Sequence, residues 1–519
     1  MNNHHSKPYE TDYEIGQDNV RLWGMDLHNP VFFVSATLIL IFVAASIIAP
    51  TTANDLLNQA KQWSINKFDW LFMGSASFLI LFCIALALLP TGKIRLGGDN
   101  AKPQFSRISW FAMLFAAGMG IGLMFWAVTE PLAYYTGWGG TPLDVKPNSQ
   151  ASADLALPAT LYHWGLHAWA IYAVVGLSLA FFSFNKGLPL TIRSVFYPLL
   201  GDRIWGFWGH VIDVFAVLAT IFGLATSLGF GATQASSGLH FLFGTPDEIT
   251  TRICIIVGVT FFAVLSVVRG LDGGVKILSN INMVLAAILL VAVFLIGPTL
   301  EIVHNIGTST VGYLENIFAL SQWLGRSDEG WMQSWTVFYW AWWISWSPFV
   351  GMFIARISKG RTVREFIIAV LVIPTVVTLV WMNVFGVSAL SQAQHGVGEL
   401  ANGIGKVSLV LFQMLENLPM SQLTSATAII LVLVFFVTSS DSGSLVIDSI
   451  TAGGKLDAPV TQRIFWATTE GLIAAVLMIG GGKTALGALQ AGTIATGLPF
   501  TLVLIAMCFS LFKGMVSKP

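Results

Sequence analysis

From Val31 to Pro50 no residue is charged, and a stretch of about 20 apolar residues is what a helix needs to cross the hydrocarbon core of a bilayer. Runs of the same kind recur at Trp70–Pro90, Ile108–Tyr134, Ala159–Phe184, Val211–Ser237, Ile253–Val268, Ile281–Pro298, Trp335–Ile354, Glu365–Val387, Ala426–Ile447, Ile464–Gly482 and Ala491–Phe512. Twelve spans are therefore expected. Composition agrees: 10% of the 519 residues are charged and 55% are hydrophobic. Soluble domains carry about 25% charged residues, so a water-facing fold of this length could not clothe itself. Lipid is the solvent for most of this chain. The net charge of −1 gives no electrostatic footprint for nucleic acid.

The basic residues test the count, because loops on the cytoplasmic side are enriched in Lys and Arg. With the N-terminus inside and strict alternation, nineteen of the 26 Lys and Arg fall on inner segments. This distribution places both termini in the cytoplasm and the protein in the plasma (inner) membrane. The polar arm of residues 1–30 lacks the basic start and short apolar stretch of a cleavable signal. Cys83, Cys254 and Cys508 all sit in apolar runs and have no metal-ligand spacing. They read as small core residues. The segment after the seventh run, Thr299 to Gln333, mixes Ile302, Ile306, Val311, Leu314 and Ile317 with polar residues, as expected of a helix lying along the outer surface.

Four stretches carry chemistry. Gly118-Met119-Gly120-Ile121-Gly122 falls inside the third run. Alternating glycines weaken a helix, and broken helices at mid-membrane expose backbone groups to substrates and ions. Tight helix packing through small residues is the alternative. In the eighth run, five tryptophans fall between Trp335 and Trp346, followed by Pro348. That density exceeds an interfacial belt. Indole faces attract quaternary ammonium groups, and Pro348 is expected to break the helix. In the fourth run Trp164, Trp169 and Tyr172 share a face at about 100° per residue, with His163 and His167 opposite. The histidines have i, i+4 spacing but no third ligand nearby, so packing or hydrogen bonding is the expected role. In the tenth run, Phe435 to Gly443 gathers Thr438, Ser439, Ser440, Asp441 and Ser442 in an apolar setting. Neutral oxygens of this kind suit a weakly held alkali ion, and interhelical hydrogen bonding is the alternative. Glu130, Asp213, Asp441 and Glu470 are dispersed, with no nucleophile or metal motif, so no catalytic residue and no enzyme activity is expected. A channel and a proton-coupled carrier using Glu130 or Asp441 remain as rivals.

The stretches Gly118 to Pro131 and Trp335 to Arg364, the latter including Ile354-Ala355-Arg356-Ile357-Ser358-Lys359-Gly360-Arg361, resemble the betaine/choline/carnitine transporter family. The resemblance runs over nearly the whole chain. It implies an all-α membrane protein with a leucine-transporter-like fold and a homotrimer. Two leading helices (31–90) precede two inverted five-helix repeats (91–298 and 335–512), separated by an outer amphipathic segment (299–334). A short tail (513–519) closes the chain, too short for the long charged extension of osmotically gated members. It implies sodium-coupled symport of a trimethylammonium solute, glycine betaine first, with sodium as coupling ion and no cofactor.

Position by position, the family's aromatic box corresponds to Trp164, Trp169, Tyr172 and Trp343. Trp342 and Trp346 correspond to the substrate path, and Gly118, Gly120 and Gly122 to the glycine stretch that admits the substrate. One sodium site corresponds to backbone oxygens of Ala116, Met119 and Phe435 with the hydroxyls of Thr438 and Ser439. Thr220 matches one hydroxyl of a second sodium site, but Leu224 replaces the other. Choline-type members tend to have Asp at Gly122. Sodium-independent carnitine exchangers have Arg at Asn282 and Met at Val350. This chain has none of these, so the betaine branch is expected, with poor choline transport.

Overall fold

The computed structural model describes residues 8–118, 120–269 and 276–517. Apart from one short hairpin, β1 (Asn19–Leu22) and β2 (Met25–His28), the regular structure among them is helical. In chain order the helices of seven or more residues are α1 (Val31–Ile48), α2 (Pro50–Leu88), α3 (Arg107–Gly118), α4 (Ile121–Thr136), α5 (Gln150–Trp164), α6 (Leu166–Phe184), α7 (Phe207–Phe243) and α8 (Ile249–Arg269). They continue with α9 (Lys276–Ile296), α10 (Thr299–Ser321), α11 (Val337–Ile357), α12 (Val363–Gln394), α13 (Val410–Glu416), α14 (Ser421–Thr451), α15 (Val460–Gly481) and α16 (Ala485–Val516). Among the described residues ten helical spans are long and apolar enough to cross a membrane, and the bent pair α3–α4 makes an eleventh. The helix at the eighth run, α11, is 21 residues long but its Trp and Tyr content keeps it out of that set.

The structure corrects the sequence expectation in three places. First, the second helix starts not at Trp70 but at Pro50. α2 begins there, with proline at the first helical position, where its missing N–H and fixed φ cost nothing. It continues for 39 residues with a kink at Phe68. Second, the fourth run begins earlier, at Gln150, and breaks at Gly165. A Cβ there would lie 2.6 Å from the Leu161 carbonyl oxygen and 3.0 Å from the Tyr313 hydroxyl oxygen, so only glycine fits. Tyr313, from the amphipathic helix α10, fills the break and accepts the Leu166 N–H at 3.1 Å. Third, Pro348 does not break α11, which runs through it. Proline at that position removes the hydrogen bond to the Ile344 carbonyl. The Ser347 hydroxyl donates to that same carbonyl at 2.7 Å and restores its partner.

The break at the glycine stretch is present: α3 and α4 meet at 64°. Buried α11 packs along α6, α14 and α16 against α7, and α12 against α4. These helices enclose the middle of the bundle, while α8 and α9 keep mostly exposed apolar faces.

The N-terminal arm is docked. Tyr13 stacks on Trp205 at 4.0 Å, and its hydroxyl accepts from Arg193 at 2.7 Å. Arg193 also donates to His28 Nε2 at 2.9 Å and pairs with Asp213. Burial first, then the charges of Arg193 and His210, push the His28 imidazole down to about 3. Lys455 pairs with Asp26, so the hairpin also ties to the segment following α14.

Candidate functional site

The break between α3 and α4 places Gly120, Ile121 and Gly122 on the wall of a small cavity of about 50 Å³. Its other walls include Trp164, Tyr172, Ser227, Trp342, Trp343 and Trp346. The first amides of any helix lack intrahelical partners. The start of α4 therefore offers the N–H groups of Ile121 and Gly122, with the positive end of the helix dipole, to whatever enters. A Cβ on Gly122 would meet ring atoms of Trp164 at 2.7 Å and Trp342 at 2.9 Å. Glycine here is what lets two indoles approach the backbone.

Trp343 is the centre of the aromatic group. Its ring lies 5.0 Å from Tyr172, 5.5 Å from Trp164 and 6.0 Å from Trp169, centroid to centroid. Trp164 reaches this group through the break at Gly165, not through the uninterrupted helical face expected from spacing. Trp169 is fully buried and packs behind Tyr172, 5.3 Å away. It supports the group and does not line the cavity. The surroundings of Gly118, and Met119 altogether, lie outside what the structure describes. Among the described residues the indole nitrogens of Trp343 and Trp346 have no hydrogen-bond partner, whereas that of Trp342 donates to Ser227 at 3.1 Å.

A second, larger cavity of about 450 Å³ abuts the first. Both are lined by Ala117 and Trp346. The second gathers Ala116, Phe435, Thr438 and Ser439 with Asn282 and Val350. Four of the five residues expected at the first sodium site thus come together from α3 and α14. The Thr438 hydroxyl donates along its own helix, to Val434 at 3.0 Å and Phe435 at 3.2 Å, which leaves its lone pairs available. Asn282 is buried with its Oδ1 unpartnered. Thr220 lies apart: its hydroxyl bonds the Ala216 carbonyl at 2.7 Å, and it lines neither cavity.

On the other side of the cage, toward the start of α11, aromatic side chains close the bundle. Trp126, Trp335, Tyr339, Phe338 and Phe230 contact one another at 5.4 to 6.4 Å. Beside them is the group that spacing did not reveal. Glu130, scattered among the acids in sequence, is fully buried and receives hydrogen bonds from Trp164, Tyr339, Tyr134 and His163. Its presence in an apolar run was the available signal, but its partners lie 33 to 209 residues away, apart from Tyr134. The histidine pair is hydrogen-bonded, as expected. Among the described residues no group of His, Cys, Asp or Glu is disposed to hold a metal ion.

A membrane bundle with a broken helix and an aromatic cavity at its centre is the architecture of a solute carrier. The chain matches the model of the betaine/carnitine/choline transporter family over residues 30–519 and belongs to that family. It is 61% identical over 510 residues to glycine betaine transporter 1 of Vibrio parahaemolyticus, covering 98% of this chain and 97% of that one. It is 59% identical to a glycine betaine/proline/choline/ectoine transporter of the same organism, covering 97% and 90%. A glycine betaine transporter of Bacillus subtilis is 42% identical, covering 93% and 94%. These relatives are transporters, and the chain is a membrane transporter and not an enzyme.

Proposed function

We propose that this protein is a sodium-coupled symporter of glycine betaine that works by alternating access. The observation that carries the reading is that the cage of Trp164, Tyr172 and Trp343 lines one cavity together with Ile121 and Gly122 at the N-terminus of α4. The two ends match a zwitterion: aromatic faces for the trimethylammonium group and a helix N-terminus for the carboxylate. The relatives named as glycine betaine transporters support the same substrate. A net-neutral solute gains nothing from the membrane potential unless a cation moves with it, at about 2.3 kcal/mol per charge per 100 mV. Thr438 and Ser439, with the backbone at Ala116 and Phe435, supply neutral oxygens for that ion beside the substrate cavity.

In this reading α11 is the twelfth crossing, α3–α9 and the helices from α11 onward form the two inverted repeats, and both termini are cytoplasmic, as the nineteen inner basic residues favour. The protomers assemble as a homotrimer in the plasma membrane. The second cavity is then the path to the cytoplasm. Purified protein in liposomes should accumulate labelled betaine when an inward sodium gradient is imposed. Undiminished accumulation in sodium-free buffer would reject the coupling, and failure of internal betaine to accelerate uptake would reject a carrier.

A further inference from the structure

Glu130 sits in α4 with no exposed surface. Its Oε2 accepts from Trp164 Nε1 at 2.7 Å and from the Tyr339 hydroxyl at 2.5 Å. Its Oε1 accepts from the Tyr134 hydroxyl at 2.8 Å and faces His163 Nδ1 at 2.7 Å. On the far side of that ring, Thr336 Oγ1 lies 2.9 Å from Nε2. A neutral imidazole satisfies both contacts, with Nδ1–H donating to the carboxylate and Nε2 accepting from Thr336. Among the described residues no Lys or Arg pairs with Glu130. A buried carboxylate with four donors and no cation is a costly arrangement inside a membrane, and structure alone does not demand it: Tyr134, Tyr339 and His163 could be joined by a neutral amide. What the carboxylate adds is a negative charge, one indole ring from the cavity.

We propose that Glu130 is the counter-charge of the substrate cation, acting as a positioning residue through Trp164. One oxygen holds the indole N–H and so fixes the ring against the cavity. The charge then attracts the quaternary ammonium across the ring, and withdraws no density from the face that binds it, because an N–H that donates to a carboxylate leaves the ring richer in electrons. The proposal rests on the reading that the cavity holds a trimethylammonium group, and it goes further by assigning part of the affinity to a residue that does not line the cavity. It also explains why Trp164 carries a partner while the indole N–H of Trp343, which shares the cage, has none.

The test is equilibrium binding to purified full-length protein of two ligands, glycine betaine and 3,3-dimethylbutanoate. The second keeps the three methyl groups and the carboxylate but replaces the charged nitrogen by carbon. Glu130→Gln should weaken betaine about thirty-fold, the factor for unit charges ~8 Å apart at an effective dielectric of ~20, and should leave dimethylbutanoate unchanged or tighter. Equal weakening of both ligands would assign Glu130 a purely structural role and overturn the proposal, as would no change in either. If Glu130→Gln does not give folded protein, Glu130→Asp keeps the charge and must keep the wild-type ratio of the two affinities; loss of that ratio overturns the proposal. A wild-type protein that binds both ligands equally would instead reject the trimethylammonium reading itself.

Discussion

Replacing Trp343 by Leu isolates the contribution of the cage. The ring touches Tyr172, Trp164 and Trp169, is 8% exposed, and has an indole N–H without a partner. Truncation therefore leaves no buried acceptor unsatisfied, and the loss falls on ring contacts and on the ligand. A desolvated cation–π contact is worth about 2 kcal/mol, which is roughly a 30-fold rise in Kd. Core Trp truncations cost about 3–5 kcal/mol of stability, but this ring already borders a cavity, so the penalty should lie at the low end of that range. Trp343→Phe keeps a π face and should lose severalfold at most. The assay is isothermal titration of betaine into purified variants, with thermal unfolding alongside. Trp340→Phe is the control: Trp340 is fully buried against His167 and Tyr162, so it should lower Tm and leave Kd alone. A folded Trp343→Leu variant with Kd within threefold of wild type would refute the cage.

Thr438 and Ser439 replaced together by Ala should raise the sodium concentration for half-maximal uptake at least tenfold; an unchanged value places the ion elsewhere. Gly122→Ala should cut betaine affinity more than tenfold, since the added methyl group collides with Trp164 and Trp342; wild-type binding by this variant would show that the two indoles move freely. Acid should loosen the N-terminal arm. His28 has an ordinary value of 6.5 and a folded value of about 3, so the unfolded chain takes up a proton first as pH falls. Its contribution to stability is full above 6.5 and declines by about 1.4 kcal/mol per pH unit down to about 3. His28→Gln should flatten the fall of Tm between pH 6.5 and 4, and parallel curves for variant and wild type would contradict the assignment.

The apolar runs announced the crossings because lipid imposes length and composition on every helix it surrounds. Where a helix leaves the bilayer that constraint ends, and so the polar first half of α2 was unreadable as helix. Gly165 was missed for a related reason: one glycine in an apolar run is common in membrane helices, and its meaning comes from Tyr313, which arrives from α10, 147 residues beyond Leu166, to occupy the break. Pro348 erred in the opposite direction. The breaker was visible, but the Ser347 hydroxyl that restores its carbonyl is a local device that only coordinates reveal. At the site, the tryptophan density and the alternating glycines were legible because each is unusual for its setting. Their mutual fit was not, because the approach of Trp164 and Trp342 to Gly122 joins three helices. Glu130 shows how far the difference matters. A lone acid in a membrane run signals function, yet sequence left it among four dispersed carboxylates. Only the convergence of α4, α5 and α11 on its two oxygens separates it from the others, and it places a negative charge behind the ring on which the substrate's positive charge would rest.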